Sequence, residues 1–196
     1  MNREFRPLAV SLAPTGTVLW SPVHELPRRV RLESPAIDVM TDLARIRPVI
    51  IDPDSSLNKA EDRMKAARVR LLFVMGAQDK FLGLVTLNDV KGERPLRYQQ
   101  EMGVSHGEVA VADIMTPVDR LETLSMHEVA DSFVGDIIDT LKRTGRQHAL
   151  VVETAVDGTR IRGMFSARQI GRQLGVQIDT SGIAYTFAEL ETALAH

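Results

Sequence analysis

The chain says nearly the same thing twice, and that limits its fold more than any other feature. Asp38-Val39-Met40-Thr41 returns 75 residues later as Asp113-Ile114-Met115-Thr116, and Gly83-Leu84-Val85-Thr86 returns 80 residues later as Gly163-Met164-Phe165-Ser166. Two anchors in one order, at nearly one offset, indicate a duplicated supersecondary unit. The offset grows by five residues, which predicts an insertion in the second copy between Ser125 and Phe133.

Each copy carries the same series of elements between its anchors. Val49-Ile50-Ile51 is a short β-branched run closed by Asp52-Pro53-Asp54, which reads as a strand entering a turn. Leu57, Ala60, Met64 and Ala67 recur at helical spacing behind Ser55 and Ser56, either of which suits an N-cap. Leu71 to Val74 and Phe81 to Val85 are two further strands around a turn at Gly76-Ala77-Gln78-Asp79, and a helix opens at about Thr86. The second copy repeats this with Leu121 to Leu124 as a weak strand and a helix carrying Val134, Ile137, Ile138 and Leu141, capped at Gly145. Ala149 to Val152 and Ile161 to Phe165 follow as strands joined through Asp157-Gly158, and Ser166 opens a helix with Ile170 and Leu174. Strand, helix, strand, strand, helix, twice over, predicts an α/β (α+β) fold whose sheets are covered by helices on one face.

Composition narrows the function. Lys plus Arg number 24 against 26 Asp plus Glu, a net charge of −2 that supplies no broad field for a nucleic-acid backbone. The absence of Cys excludes a thiolate nucleophile and sulfur-ligated zinc, and with no signal-like or membrane-spanning apolar run the expectation is a soluble, cytoplasmic protein without membrane or nucleic-acid partners. His24, His106, His127, His148 and His196 lack metal-ligand spacing, and no P-loop, G-x-S-x-G or G-x-G-x-x-G string occurs, so no catalytic or metal site is expected. Glu101, His106 and Glu108 read as a solvated loop, and Met64 and Met164 as core filling. Residues 1–34, with four prolines and Trp20 as a packing anchor, read as an extended arm. Residues 35–95 form the first unit, 96–108 a polar link, 109–175 the second unit, and 176–196 a tail with a short helix through Phe187, Leu190 and Leu194.

The Asp-hydrophobic-Met-Thr openings, Val69-Arg70-Leu71-Leu72-Phe73-Val74 and Gly83-Leu84-Val85-Thr86-Leu87-Asn88-Asp89 together resemble CBS domains, the β-α-β-β-α units named after cystathionine β-synthase. The resemblance spans about residues 35–175. It implies a stand-alone tandem pair (a Bateman module) of pseudo-two-fold symmetry, with two clefts between its sheets that hold AMP, ADP, ATP or a related adenosine ligand. It also implies a homodimer of stacked pairs, in which helix faces carrying Ile137, Ile170 and Leu174 would be covered by the partner.

The residues support this chemistry independently. Gly83 removes a side chain where a base would approach the strand, and Thr86 stands beside backbone N–H groups suited to phosphate. Asp89 offers a carboxylate to two ribose hydroxyls. Thr-x-x-Asp is equally a helix-capping signature, and one residue can serve both purposes. Arg70 presents a guanidinium fork to phosphate, or else makes a surface ion pair. The first site thus comprises Arg70, Val85, Thr86, Asn88 and Asp89, completed from the other copy by Leu121, Glu122 and Gln147.

The second site would draw on Ser166, Arg168, Gln169, His148, Pro48 and Val49. Gln169 stands where Asp89 stands in the first copy, so Ser166-Ala167-Arg168-Gln169 fits a Ser-x-x-Gln capping box and lacks the ribose-binding carboxylate. The expectation is a weaker or empty second cleft. The chain as a whole is expected to be a regulatory, ligand-sensing module that binds adenine nucleotide, acts on an unidentified effector protein and catalyses nothing. The alternative is a structural pair that binds partners and no nucleotide.

Overall fold

The computed structural model describes residues 25–156 and 158–180. Trp20, His24, His196, Asp157 and the tail helix at Phe187, Leu190 and Leu194 lie outside them. Residues 41–42 form β1, 50–51 β2, 57–67 α1, 71–75 β3, 81–86 β4, 87–91 α2 and 94–102 α3. After these come α4 at 111–114, β5 at 116–117, β6 at 123–125, α5 at 126–130, α6 at 134–144, β7 at 148–155, β8 at 158–166 and α7 at 167–174.

Local chemistry accounts for most boundaries. Ser56 caps α1 by accepting from the Lys59 N–H at 3.3 Å, and Leu57, Ala60 and Met64 turn one stripe inward. In the second unit α6 buries Val134, Ile137, Ile138 and Leu141 and ends on Gly145, whose φ of 63° is the left-handed cap such an end requires. The second unit does carry an extra turn there, α5, capped by Ser125, but the hairpin lengthens as well: β7 and β8 pair His148 with Ser166 where β3 and β4 pair Leu71 with Thr86, so the extra length is shared between two places.

Two elements differ from the sequence reading. The polar link contains α3, because Pro95 sits in the first turn, where its missing N–H costs nothing, and Gly103 stands just past the end with φ 68°. Residues that look like breakers therefore bracket a helix. The first strand of the second unit is Thr123–Ser125 rather than Leu121 to Leu124, because Val118–Arg120 curl into a 3-10 turn that delivers Leu121.

The strands form two four-stranded sheets, ordered β2-β3-β4-β5 and β1-β8-β7-β6. Within each, one parallel pair (β2 with β3, β6 with β7) adjoins an antiparallel hairpin. The outermost strand of each sheet comes from the other repeat. β5, which opens the second repeat, pairs with β4 through Gly83–Pro117 and Leu84–Thr116. β1, which opens the first, pairs with β8 through Thr41–Met164 and Asp42–Gly163.

The cores are exchanged accordingly. Ala36, Val39 and Met40 pack with α6, β8 and α7, while Val109, Val111 and Ile114 pack with α1, β3 and β4. Leu71, Phe73, Leu84 and Leu150 form a third cluster, with Leu43, Leu121 and Met164 packed against it, where the repeats meet. Gly83 serves this crossing, since a Cβ there would stand 2.3 Å from the Thr116 carbonyl oxygen; at Gly163 a Cβ would stand 2.8 Å from Met40 Sδ and 2.9 Å from the Thr41 carbonyl. The neighbouring strand therefore takes the space the sequence reading left for a base.

Ile137, Ile170 and Leu174, expected on a face that a partner would cover, are 3%, 0% and 8% exposed in the single chain. The helical periodicity is right, but these residues serve the intramolecular core. Gly83→Ala is expected to lower unfolding free energy by about 1–3 kcal/mol by overpacking, whereas Gly107→Ala, with open space around it, stays within about 0.5 kcal/mol, as read by denaturant melts. Met40→Ala is expected to cost about 2–5 kcal/mol and to speed amide exchange in α6, α7 and β8 more than in β3 and β4.

Candidate nucleotide-binding cavity

Between the two sheets lies one continuous cavity of about 1480 Å³. It is lined by Arg70, Thr86, Asn88, Asp89, Leu121, Glu122 and Gln147 of the first expected site, and by Pro48, Val49, His148, Ser166, Arg168 and Gln169 of the second. The two sets of residues thus face one space. Val85 does not: it is fully buried among Leu57, Met64 and Val74, because alternate strand residues point to opposite faces and Leu84 and Thr86 take the cavity side.

The Thr86–Asp89 pair is a complete capping box. Thr86 Oγ1 accepts from the Asp89 N–H at 3.2 Å, and Asp89 Oδ2 accepts from the Thr86 N–H at 2.8 Å and from the Thr86 hydroxyl at 2.7 Å. The other oxygen, Oδ1, lies 2.9 Å from Arg94 Nη1. The carboxylate is therefore held rigidly at the wall with both oxygens engaged.

The second copy is built differently. Ser166 caps nothing with its side chain, which corrects the capping-box expectation for Ser166 and Gln169. Gln169 instead accepts from the Thr41 hydroxyl at 3.2 Å and donates to the Val39 carbonyl at 3.4 Å, reaching back into the opening segment of the first repeat. Gln147, which corresponds to Arg70, donates to Thr180 Oγ1 at 2.6 Å. The stretch Val176 to Asp179 lines the same end of the cavity.

His148 is pushed down to about 4, first by burial and then by the positive charge of Arg70, with Asp89 opposing. A second-repeat histidine thus sits in the field of the first repeat's Arg70 and Asp89. At neutral pH it is an uncharged wall residue.

Sequence reasoning missed most of the cavity's charge. Nine Lys and Arg side chains line it against four Asp and Glu, in a chain whose net charge is −2. Glu61 ties up Lys65 at 2.8 Å and Lys91 at 2.7 Å, the two hydrogen bonds that hold its carboxyl below the usual range, and Glu122 lies 3.6 Å from Arg146. Arg47, Arg68, Arg70, Arg168 and Arg172 have no carboxylate partner among the described residues. Apart from Arg70 and Arg168 they lie outside the repeated motifs, on turns and helix ends, where no local pattern marks them. Leu71, Phe73, Leu84 and Leu150 form an apolar floor beneath them.

The fold has counterparts among known proteins. Residues 36–94 match the CBS domain family. No curated protein matches the chain. Among solved structures, an uncharacterised conserved protein from Pyrococcus horikoshii covers 72% of this chain and 92% of its own at 20% identity and a TM-score of 0.51. CBSX2 in complex with AMP covers 71% and 94% at 20% identity and a TM-score of 0.50. A CBS-domain containing protein from Agrobacterium tumefaciens covers 72% and 94% at 18% identity and a TM-score of 0.51. The chain therefore carries a CBS domain at residues 36–94 and has, over its two repeats, the fold of a tandem, Bateman-like CBS pair. No helix among the described residues is long and apolar enough to cross a membrane.

The His148 environment has a measurable consequence. Its pKa in the fold lies below the ordinary 6.5, so the unfolded chain takes up the proton first and stability is lost as pH falls from about 6.5 towards 4. His148→Gln is expected to flatten the stability-versus-pH curve in that window and leave it unchanged above pH 7, as read by melts across the pH range.

Proposed function

We propose that this protein binds an adenine nucleotide in the cavity as a regulatory ligand, without chemical turnover, and passes the signal to a partner protein. The observation that carries the reading is the group of five arginines, without carboxylate partners among the described residues, around a cavity that also presents Asp89. Clustered guanidinium groups without counter-charges repel one another, and a polyphosphate would relieve that strain while forming bidentate hydrogen bonds. The apolar floor suits a purine face, and Asp89 suits ribose hydroxyls. The AMP-bound structure of CBSX2, which shares the fold, supports the same ligand class. Cytoplasmic action as a homodimer on an effector protein belongs to this proposal.

A second reading has its own observation. Thr86, Asp89 and Arg94 satisfy one another within the chain, as they would in a purely structural pair that binds partners and no nucleotide. Isothermal titration with AMP, ADP and ATP separates the two, and the absence of heat with all three would favour the structural module.

On the nucleotide reading, one molecule binds per chain and affinity falls with added salt, since the arginines supply the phosphate contacts. Asp89→Asn is expected to weaken binding by about ten- to a hundredfold, the worth of a charge-assisted hydrogen bond, while Gln169→Ala changes it little. Circular dichroism and the ligand-free Tm separate lost binding from a weakened cap.

A further inference from the structure

The capping carboxylate of Asp89 is wired to the other repeat, and the wire runs through Arg94. The Nη1 atom of Arg94 contacts Asp89 Oδ1 at 2.9 Å, donates to the Ile114 carbonyl at 2.9 Å and approaches Thr116 Oγ1 at 3.4 Å. Ile114 and Thr116 flank Met115 in the second repeat's opening segment, the one that crosses over to complete the first sheet. Val39 and Thr41 occupy the corresponding places in the first repeat, and there Gln169, the counterpart of Asp89, makes both contacts with its own amide. An amide both donates and accepts, whereas a carboxylate only accepts. Where the second copy needs one neutral residue, the first uses an ion pair, and only the ion pair offers a ligand a charged acceptor.

Resting on the nucleotide reading above, we propose that Arg94 is a ligand-displaced clasp. It holds the α4–β5 segment to Asp89 in the free protein, and the ribose of a bound nucleotide takes its place on the carboxylate. The acceptor capacity of Asp89 requires the exchange. Oδ2 already accepts from the Thr86 N–H and hydroxyl, and Oδ1 accepts from Arg94, which leaves about one of some four lone-pair positions for two ribose hydroxyls. The Thr86 N–H is part of the backbone, and the Thr86 hydroxyl is tied to the Asp89 N–H as well. The Arg94 side chain is 51% exposed and held by a single nitrogen, so it is the group that yields. As that nitrogen leaves Asp89, the geometry that also holds Ile114 and Thr116 goes with it. Occupancy of the first repeat's wall is then felt in the opening segment of the second.

Hydrogen–deuterium exchange with AMP as the probe tests this on the full chain, comparing wild type, Arg94→Met and Arg94→Lys. Without ligand, amides of residues 113–116 are expected to exchange about tenfold faster in Arg94→Met than in wild type, with α6 unchanged as the internal reference and Arg94→Lys intermediate. Saturating AMP is expected to raise exchange of that segment in wild type and leave it unaltered in Arg94→Met, which binds AMP about threefold more tightly because no competitor must be displaced. Weaker AMP binding by Arg94→Met would overturn the proposal, making Arg94 a ligand contact instead. AMP binding to wild type that leaves residues 113–116 unchanged or better protected would overturn the displacement. If AMP, ADP and ATP bind neither protein, the nucleotide reading fails and the displacement with it, while the ligand-free comparison still decides whether Arg94 clasps the segment.

Discussion

The reciprocal crossing of the two opening segments is the constraint on which everything else rests. β1 and β5 are two residues each, too short to persist alone, and each exists because the opposite hairpin presents a free edge beside a glycine. The helical turns that precede them carry Ala36, Val39 and Met40 into one core and Val111 and Ile114 into the other. Neither repeat can therefore bury its own apolar surface without the other. Burial of a side chain such as Val39, Met40, Val111 or Ile114 is worth about 1.5–3 kcal/mol, so the exchange adds to the cluster around Phe73 and Leu150 in joining the repeats.

The same crossing builds the cavity. Because each opening segment lies along the far edge of the opposite sheet, the faces bearing Leu84, Thr86, Leu150 and Ser166 stand opposite one another with space between them. The strand-to-helix junctions at Thr86 and Ser166 then face that space, and turns bearing Arg47, Arg68 and Arg70 line it from one repeat while Arg168 and Arg172 line it from the other. The charge of the cavity is thus a property of the assembled pair. Among the described residues no acidic side chain pairs with these five arginines, although the chain as a whole is slightly acidic.

Pseudo-symmetry makes the differences between the halves informative. Thr86 and Asp89 form a capping box, Ser166 and Gln169 do not, and the contacts that Gln169 makes alone require both Asp89 and Arg94 in the other half. Arg70 faces the cavity with no carboxylate partner among the described residues, while its counterpart Gln147 is bonded to Thr180. At the Asp89 position the cavity wall carries an ion pair, and at the Gln169 position a neutral amide bonded to the first repeat's opening segment.

Amino-acid order alone determined the duplication, the strand and helix periods and the caps at Thr86 and Gly145, and it narrowed the α1 cap to Ser55 or Ser56. These are local or periodic properties, set by which side chains recur on one face and which residue tolerates a given backbone angle. Tertiary structure decided which repeat each opening segment serves, why Gly83 and Gly163 lack side chains, and that Ile137 and Ile170 face inward to an intramolecular core. It also decided that Val85 belongs to the core rather than the cavity, and that Arg47, Arg68 and Arg172 converge on one space. Those outcomes depend on contacts between residues far apart in the chain. An edge strand's choice of partner, or an arginine's distance from a carboxylate on another element, leaves no mark on the residues beside it in sequence.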